Sequence, residues 1–218
     1  MKPRRGTLPT RERILNEVER LIARKGVYGF KLRDVAERLG VKVPAIYKHY
    51  TSREDVLVEV SRRYIALLGT QFHAAWAEDP AAALRSGLNR LVKLEMSHPF
   101  HVRLALADLA APLAGMQYVR RAAKRVSRTG PAAGPLAAMF HRLRGVLRAG
   151  ERCGRFRRVR AADFYRTATA ALLARLVFPD DELLLRQPTP AEVRGVQRWL
   201  WEVARGFLAP RPARGGPS

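Results

Sequence analysis

Apolar positions recur along this chain at helical spacing, and no run alternates at the period of two that a half-buried strand requires. Ile14, Val18, Leu21 and Ile22 share one face of a helix that Thr10 is expected to cap and Gly26 to end. Leu32, Val35, Ala36 and Leu39 form the apolar face of a second, shorter helix, and Gly40 follows where a helix stops in left-handed geometry. Pro44 opens a third helix, because proline at the first helical position lacks only an amide that would go unpaired. Ser52 is the expected cap of a fourth, with Asp55 three residues on. Val56, Val60, Tyr64, Leu67, Leu68 and Phe72 carry that helix to about Trp76.

Pro80, Pro99 and Pro112 divide the next stretch into helices near 81–97 and 100–111, with a further helix from about 114 to 128. The GPAAGP segment at 130–135 is a break. Helices near 136–152, 161–178 and 190–208 follow, the last two separated by PDDELLLRQPTP, whose acidic start reads as a solvated loop. The expected fold is all-α, with about nine to ten helices: a three-helix head and a larger helical body ending in a helix pair. The tail from 210 to 218 is expected to be disordered.

Composition narrows what this fold is for. The chain has 218 residues, 47% of them hydrophobic, which is enough for an ordinary buried core. Its formal charge of +22 points to an acidic partner, although an arginine-favouring genome would enrich any solvated surface as well. Cys153 stands alone, which excludes a disulfide framework or a cysteine zinc site and fits a reducing cytoplasm. The basic start MKPRR leads into no apolar segment, and the windows at 104–114 and 168–178 are too short to span a bilayer, so a cytoplasmic protein without membrane attachment is expected. No phosphate loop, zinc-protease pattern or nucleophile–base pair is present, so no enzyme is expected. Glu95, His98 and His101 lie close in sequence, but Pro99 interrupts them and no further ligand is evident; neither a metal site nor a cofactor is expected.

Two short helices joined through a glycine turn make a helix-turn-helix. Ala36 is small enough for close approach, Gly40 permits the turn, and Val35, Leu39, Val41 and Ile46 weld the pair. With Ile46 inward, helical geometry turns Lys42, Val43, Ala45, Tyr47, Lys48 and His49 toward solvent, an arrangement suited to a DNA major groove. Tyr50 is expected to pack inward.

Taken together, the opening helix with Ile14 and Val18, ARKG at 23–26, LRDVAERLGV at 32–41 and PAIYKHYTSREDVL at 44–57 resemble the amino-terminal domain of the TetR family of bacterial transcriptional regulators. The resemblance implies that Arg33 contacts a base edge or phosphate, that Lys42, Val43, Pro44 and Ala45 form the tip of the recognition helix, and that Tyr47, His49 and Arg53 hold phosphates, with Lys48 on a base or the backbone. The family usually caps the second helix with serine or threonine where this chain has Lys31, so that cap must be replaced or lost, at a cost of about 1 kcal/mol. Val43 favours a thymine methyl over a hydrogen bond. The basic arm at 1–9 is either a free tail or an additional phosphate or minor-groove hook.

The implied protein is a homodimeric regulator, most simply a repressor, that holds double-stranded DNA at a palindromic operator and is released by a small-molecule effector of unknown identity. Its head spans 1–53 and its ligand-sensing, dimerising body 54–209. The resemblance assigns dimerisation to the last two helices, through Phe164, Ala168, Leu172, Leu176, Val196, Trp199, Leu200, Val203 and Phe207, with one of Trp199 and Trp201 at the interface. Phe72, Trp76, Met96, Phe100, Leu104, Met116, Met139 and Phe140 either line an effector pocket or fill an ordinary core. Residues 120–160 hold thirteen Lys and Arg against one acid, Glu151. That region is a solvated arginine face, a site for an anionic ligand such as an acyl-coenzyme A or another phosphorylated effector, or a second contact with DNA or another partner. The rival reading of the whole chain is a nonspecific, nucleoid-like DNA binder or an anionic-surface binder.

Overall fold

The computed structural model describes residues 10–71, 79–110, 134–177 and 186–210. All regular structure among these residues is helical: α1 (Thr10–Gly29), α2 (Leu32–Leu39), α3 (Val43–Tyr47), α4 (Arg53–Leu68), α5 (Pro80–Ser97), α6 (Pro99–Ala110), α7 (Pro135–Arg152), α8 (Ala161–Val177) and α9 (Pro190–Leu208). The fold is all-α, as the periodicity requires. The arm at 1–9, the helix expected at 114–128, the acidic loop at 179–182 and the tail from 211 onward lie outside the described residues.

Compactness divides the chain into two units. Among described residues one unit holds 10–65 with 98–110, and the other holds 66–71, 79–97, 134–177 and 186–210. The first unit is therefore wider than the three-helix head, because α6 packs along α1. Its interior is built from Ile14, Val18 and Leu21 of α1, Val35 of α2, Ile46 of α3, Val56 and Val60 of α4, and Val102 and Leu104 of α6, each fully buried. Polar ties brace this core. Arg63 of α4 reaches Asn16 Oδ1 at 2.9 Å and Glu19 at 3.2 Å on α1. Glu17 of α1, itself buried, pairs with Arg38 of α2 at 3.3 Å.

In the second unit α5 packs against α7 and α9, and α8 against α7 and α9. Leu84, Leu88 and Leu91, Met139 and Leu143, Leu172 and Leu176, and Leu200 interlock at full burial. Gln197 of α9 donates to the Asn89 carbonyl of α5 at 3.0 Å. The start of α9 carries a complete capping box. Thr189 Oγ1 accepts from Glu192 N at 3.3 Å, and Glu192 Oε2 accepts from Thr189 N at 2.7 Å.

Two local expectations need correction. Gly26 does leave helical geometry, at φ 75, but one more turn through Gly29 follows it within α1. The fourth helix ends at Leu68, well short of 76, and Gly69 then abuts Pro135; a Cβ there would come within 2.8 Å of the Pro135 Cα. Thr70 and Gln71 then turn back onto the Leu67 and Leu68 carbonyls at 3.1 Å each.

Candidate nucleic-acid interface

Two features fix the geometry of α2 and α3. Gly40 sits in the left-handed region at φ 65, and the Val41 amide returns to the Ala36 carbonyl at 3.0 Å, ending α2 in a satisfied turn. Pro44 supplies a preset φ at the start of α3, and Ala45 N reaches the Lys42 carbonyl at 2.9 Å. Ile46 then drops into the core at 0% exposure, and Tyr50 follows it at 1%. The Tyr50 hydroxyl accepts from Arg11 Nε at 3.3 Å, so α1 holds the end of the recognition segment. Burial pushes the Tyr50 hydroxyl pKa up, against the opposing pull of Arg11.

Of the two alternatives at Lys31, a cap replaced or a cap lost, the structure has the first. A lysine side chain has no acceptor, but Asp34 Oδ2 accepts from Lys31 N at 3.3 Å and from Lys25 Nζ at 2.9 Å. The Lys25 hydrogen bond, then that of the Lys31 backbone, holds the Asp34 carboxyl below its ordinary range. This keeps a negative charge at the positive end of α2.

With Ile46 anchored, Lys42, Pro44, Tyr47, Lys48 and His49 are exposed, while Val43 and Ala45 are half-buried. Tyr47 presents 51% of its surface. Lys42, Lys48 and His49 form no ion pair with any described residue. The nearby acids are committed elsewhere: Glu17 to Arg20 and Arg38, Asp34 to Lys25, and Glu37 to Arg33 at 3.5 Å. Arg33 is exposed, and a surface pair of that kind is worth under about 1 kcal/mol, so it yields readily to a phosphate.

Arg53 is placed differently from the others. Its guanidinium donates to the carbonyls of Val27 and of Phe30, the latter at 3.4 Å, and lies 4.7 Å over the Phe30 ring. It fastens the α1–α2 corner to the start of α4, a task nothing in its sequence position signals. Tyr28, on that corner, is 72% exposed and is not marked by periodicity, although flanking glycines at 26 and 29 signal the turn that presents it.

The other expected sites are dispersed. Of the nine expected interface residues, Phe164, Ala168, Leu172, Leu176, Val196 and Leu200 are buried within the subunit itself. Trp199, Val203 and Phe207 are half-buried. Arg85 of α5 covers the Trp201 ring at 5.8 Å, whereas Trp199 lies on a different side of α9. Phe72, Trp76 and Met116 lie outside the described residues. Phe100 and Leu104 are buried in the first unit, Met96 and Met139 in the second, and Phe140 is half-buried there.

Residues 14–60 match the family described as bacterial regulatory proteins, tetR family. The HTH-type transcriptional regulator AcrR of Shigella flexneri is 33% identical over 79 residues, covering 35% of this chain and 37% of that protein. The chain thus matches little more than a third of that relative's length. Among solved structures, the TetR-family regulator PfmR from Thermus thermophilus aligns at a TM-score of 0.65 and 23% identity over 91% of this chain and 100% of that one. KstR2 of Mycobacterium tuberculosis aligns at 0.65 and 16% over 94% and 98%. A tetR-family regulatory protein from Rhodococcus RHA1 aligns at 0.67 and 15% over 94% and 100%. At these identities the likeness is one of fold.

Proposed function

The chain belongs to the TetR family of bacterial regulatory proteins, and on that premise we propose that it is a cytoplasmic transcriptional regulator that grips a palindromic operator as a homodimer. One observation carries the reading: Ile46 is sealed in the core while Tyr47, Lys48 and His49 beside it stand in solvent, and neither basic residue has an ion-pair partner among the described residues. Free donors on a short helix with small residues at its tip suit a groove that must be entered closely. In this reading Arg33, Lys42, Tyr47, His49 and the remaining donor capacity of Arg53 hold phosphates and set register, while Lys48 and the tip from Val43 to Ala45 meet base edges. Residues 1–53 act as the head and 54–209 as the sensing and dimerising body.

Dimerisation falls to the half-buried side of α9. Trp199, Val203 and Phe207 form the contact, and the buried residues behind them supply its rigidity. A two-fold dimer matches a two-fold operator. A small-molecule effector that binds the DNA-incompetent state five- to a hundredfold better shifts the equilibrium by roughly 1–3 kcal/mol, enough to release the operator.

The test is binding to the protein's own promoter fragment by fluorescence anisotropy, with bulk duplex as competitor. A Y47A/K48A variant that melts like wild type should lose orders of magnitude of preference for the promoter. Undiminished promoter affinity in that variant sinks the proposal. A wild type that never prefers one site over bulk DNA assigns the +22 charge to nonspecific binding instead.

A further inference from the structure

The second unit carries a basic groove that the DNA-binding reading does not use. Arg144, Arg148 and Arg152 follow one another at four-residue steps along α7, about 6 Å apart along its axis, and all three are exposed. None makes an ion pair or hydrogen bond with another described residue. Three unpartnered guanidinium groups in line raise the local potential without internal relief.

The chain after α7 folds back to complete the groove. Phe156 tucks against Gly150, its amide on the Gly150 carbonyl at 3.1 Å, and Gly154 turns the backbone at φ 71. This return path sets Arg158 and Arg160 on the groove, followed by the amino-terminal end of α8. The Ala161 and Ala162 amides at that end precede the first one to find a backbone acceptor, Asp163 N on the Arg160 carbonyl at 3.0 Å. Helix amides and dipole thus add to the positive field. The one acid lining the groove, Glu151, lies 4.0 Å from Arg158.

The open groove offers about 980 Å³. That is at the upper end of small-molecule sites and far larger than inorganic phosphate needs. Its walls are not uniformly polar. Phe140 closes one end, held edge-on by Tyr165 at 5.2 Å, and Val159 adds further apolar surface.

We propose that this groove binds a nucleotide-class ligand, an aromatic or apolar body carrying two or more phosphates. The guanidinium fork matches phosphate oxygens two at a time, so the α7 arginines and Arg158 or Arg160 grip the phosphates from opposite sides. The body lies toward Phe140. A concave site with an apolar end favours a small molecule over the rod-like backbone of a duplex. The site stands on α7, α8 and the segment that joins them, and is independent of how the head reads DNA.

The test is calorimetric titration of the full chain, at about 0.15 M salt, with ATP, inorganic tripolyphosphate and adenosine. ATP should bind more tightly than tripolyphosphate, and adenosine should give no measurable heat. R144Q/R148Q/R152Q should weaken ATP roughly tenfold or more. K93Q/R194Q/R198Q removes the same charge from exposed positions elsewhere in the unit and should change ATP affinity by less than about twofold. R148K keeps the charge but not the fork and should also weaken ATP, while F140A should bring ATP down to the level of tripolyphosphate. Melting curves identify any variant that fails to fold, and R148K, the mildest change, keeps the test decisive. Equal losses in both triple variants would reduce the effect to diffuse charge and overturn the site. So would absence of ATP binding, or a groove variant that leaves ATP untouched and instead flattens the salt dependence of bulk duplex binding. Tripolyphosphate binding as tightly as ATP, unaffected by F140A, would refute the apolar-body assignment.

Discussion

Replacing Gly150 with alanine should destabilise this protein, although the same change in an open helix stabilises one. Alanine in a helix interior is better than glycine by about 0.5–1 kcal/mol. At Gly150 the added methyl would fall inside the Phe156 ring, with Cγ only 2.6 Å from the new carbon and two ring atoms closer still. Neither side can give way easily. Phe156 is 7% exposed, and its own amide is tied to the Gly150 carbonyl. Overpacking of this kind costs about 1–3 kcal/mol, leaving a net loss of up to about 2.5 kcal/mol after the helix gain is subtracted. For a chain of this size each kcal/mol lowers Tm by about 2–4 °C.

The decisive assay is a double-mutant cycle read by thermal and urea unfolding. F156A alone should cost about 3–5 kcal/mol, as a buried ring is emptied. In that background G150A should turn favourable by about 0.5–1 kcal/mol, giving a coupling of roughly 1–3 kcal/mol between the two positions. If G150A costs the same with and without the ring, Phe156 does not lie over Gly150. The return path that brings Arg158 and Arg160 to the groove would then be wrong as well.

Two further outcomes can be measured alongside. G40A must place a side chain at φ 65, where L residues pay about 1 kcal/mol, and the loss should appear as a lower urea midpoint with an unchanged slope. The Glu192 carboxyl is held down to about 2, first by Arg186 and then by the Thr189 amide, so its contribution to α9 is complete above the ordinary carboxylate pKa of about 4.3 and disappears as pH falls toward 2. E192Q should therefore melt below wild type at neutral pH, with the gap closing across that acid window; a gap that stays constant with pH would remove the capping carboxylate from the account.

Much of this molecule is legible in one dimension because the signals are local. Pro80, Pro99, Pro135 and Pro190 each open a helix within a residue of where the apolar pattern begins, since a residue without an amide is tolerated only there. Val35 and Ala36 are inward because the helical period of α2 puts them on its apolar face with Leu32, and Ile46 is the apolar position of α3 that meets that face. The same periodicity makes the fourth helix look too long. Its apolar pattern continues past Leu68, but the helix stops there, where Gly69 lies against Pro135 from far along the chain.

The sequence alone determines an all-α chain, a glycine-turned helix pair and a ridge of tyrosine, lysine and histidine, because each follows from spacing within one or two helical turns. Which charges remain free is decided in three dimensions. Arg53 looks like its neighbours on paper, yet two of its nitrogens are tied to the Val27 and Phe30 carbonyls, while Arg144, Arg148 and Arg152 keep no partner among the described residues. A guanidinium is satisfied by whatever oxygen the fold carries to it, and chain folding, unlike helical period, brings together groups that no sequence distance relates.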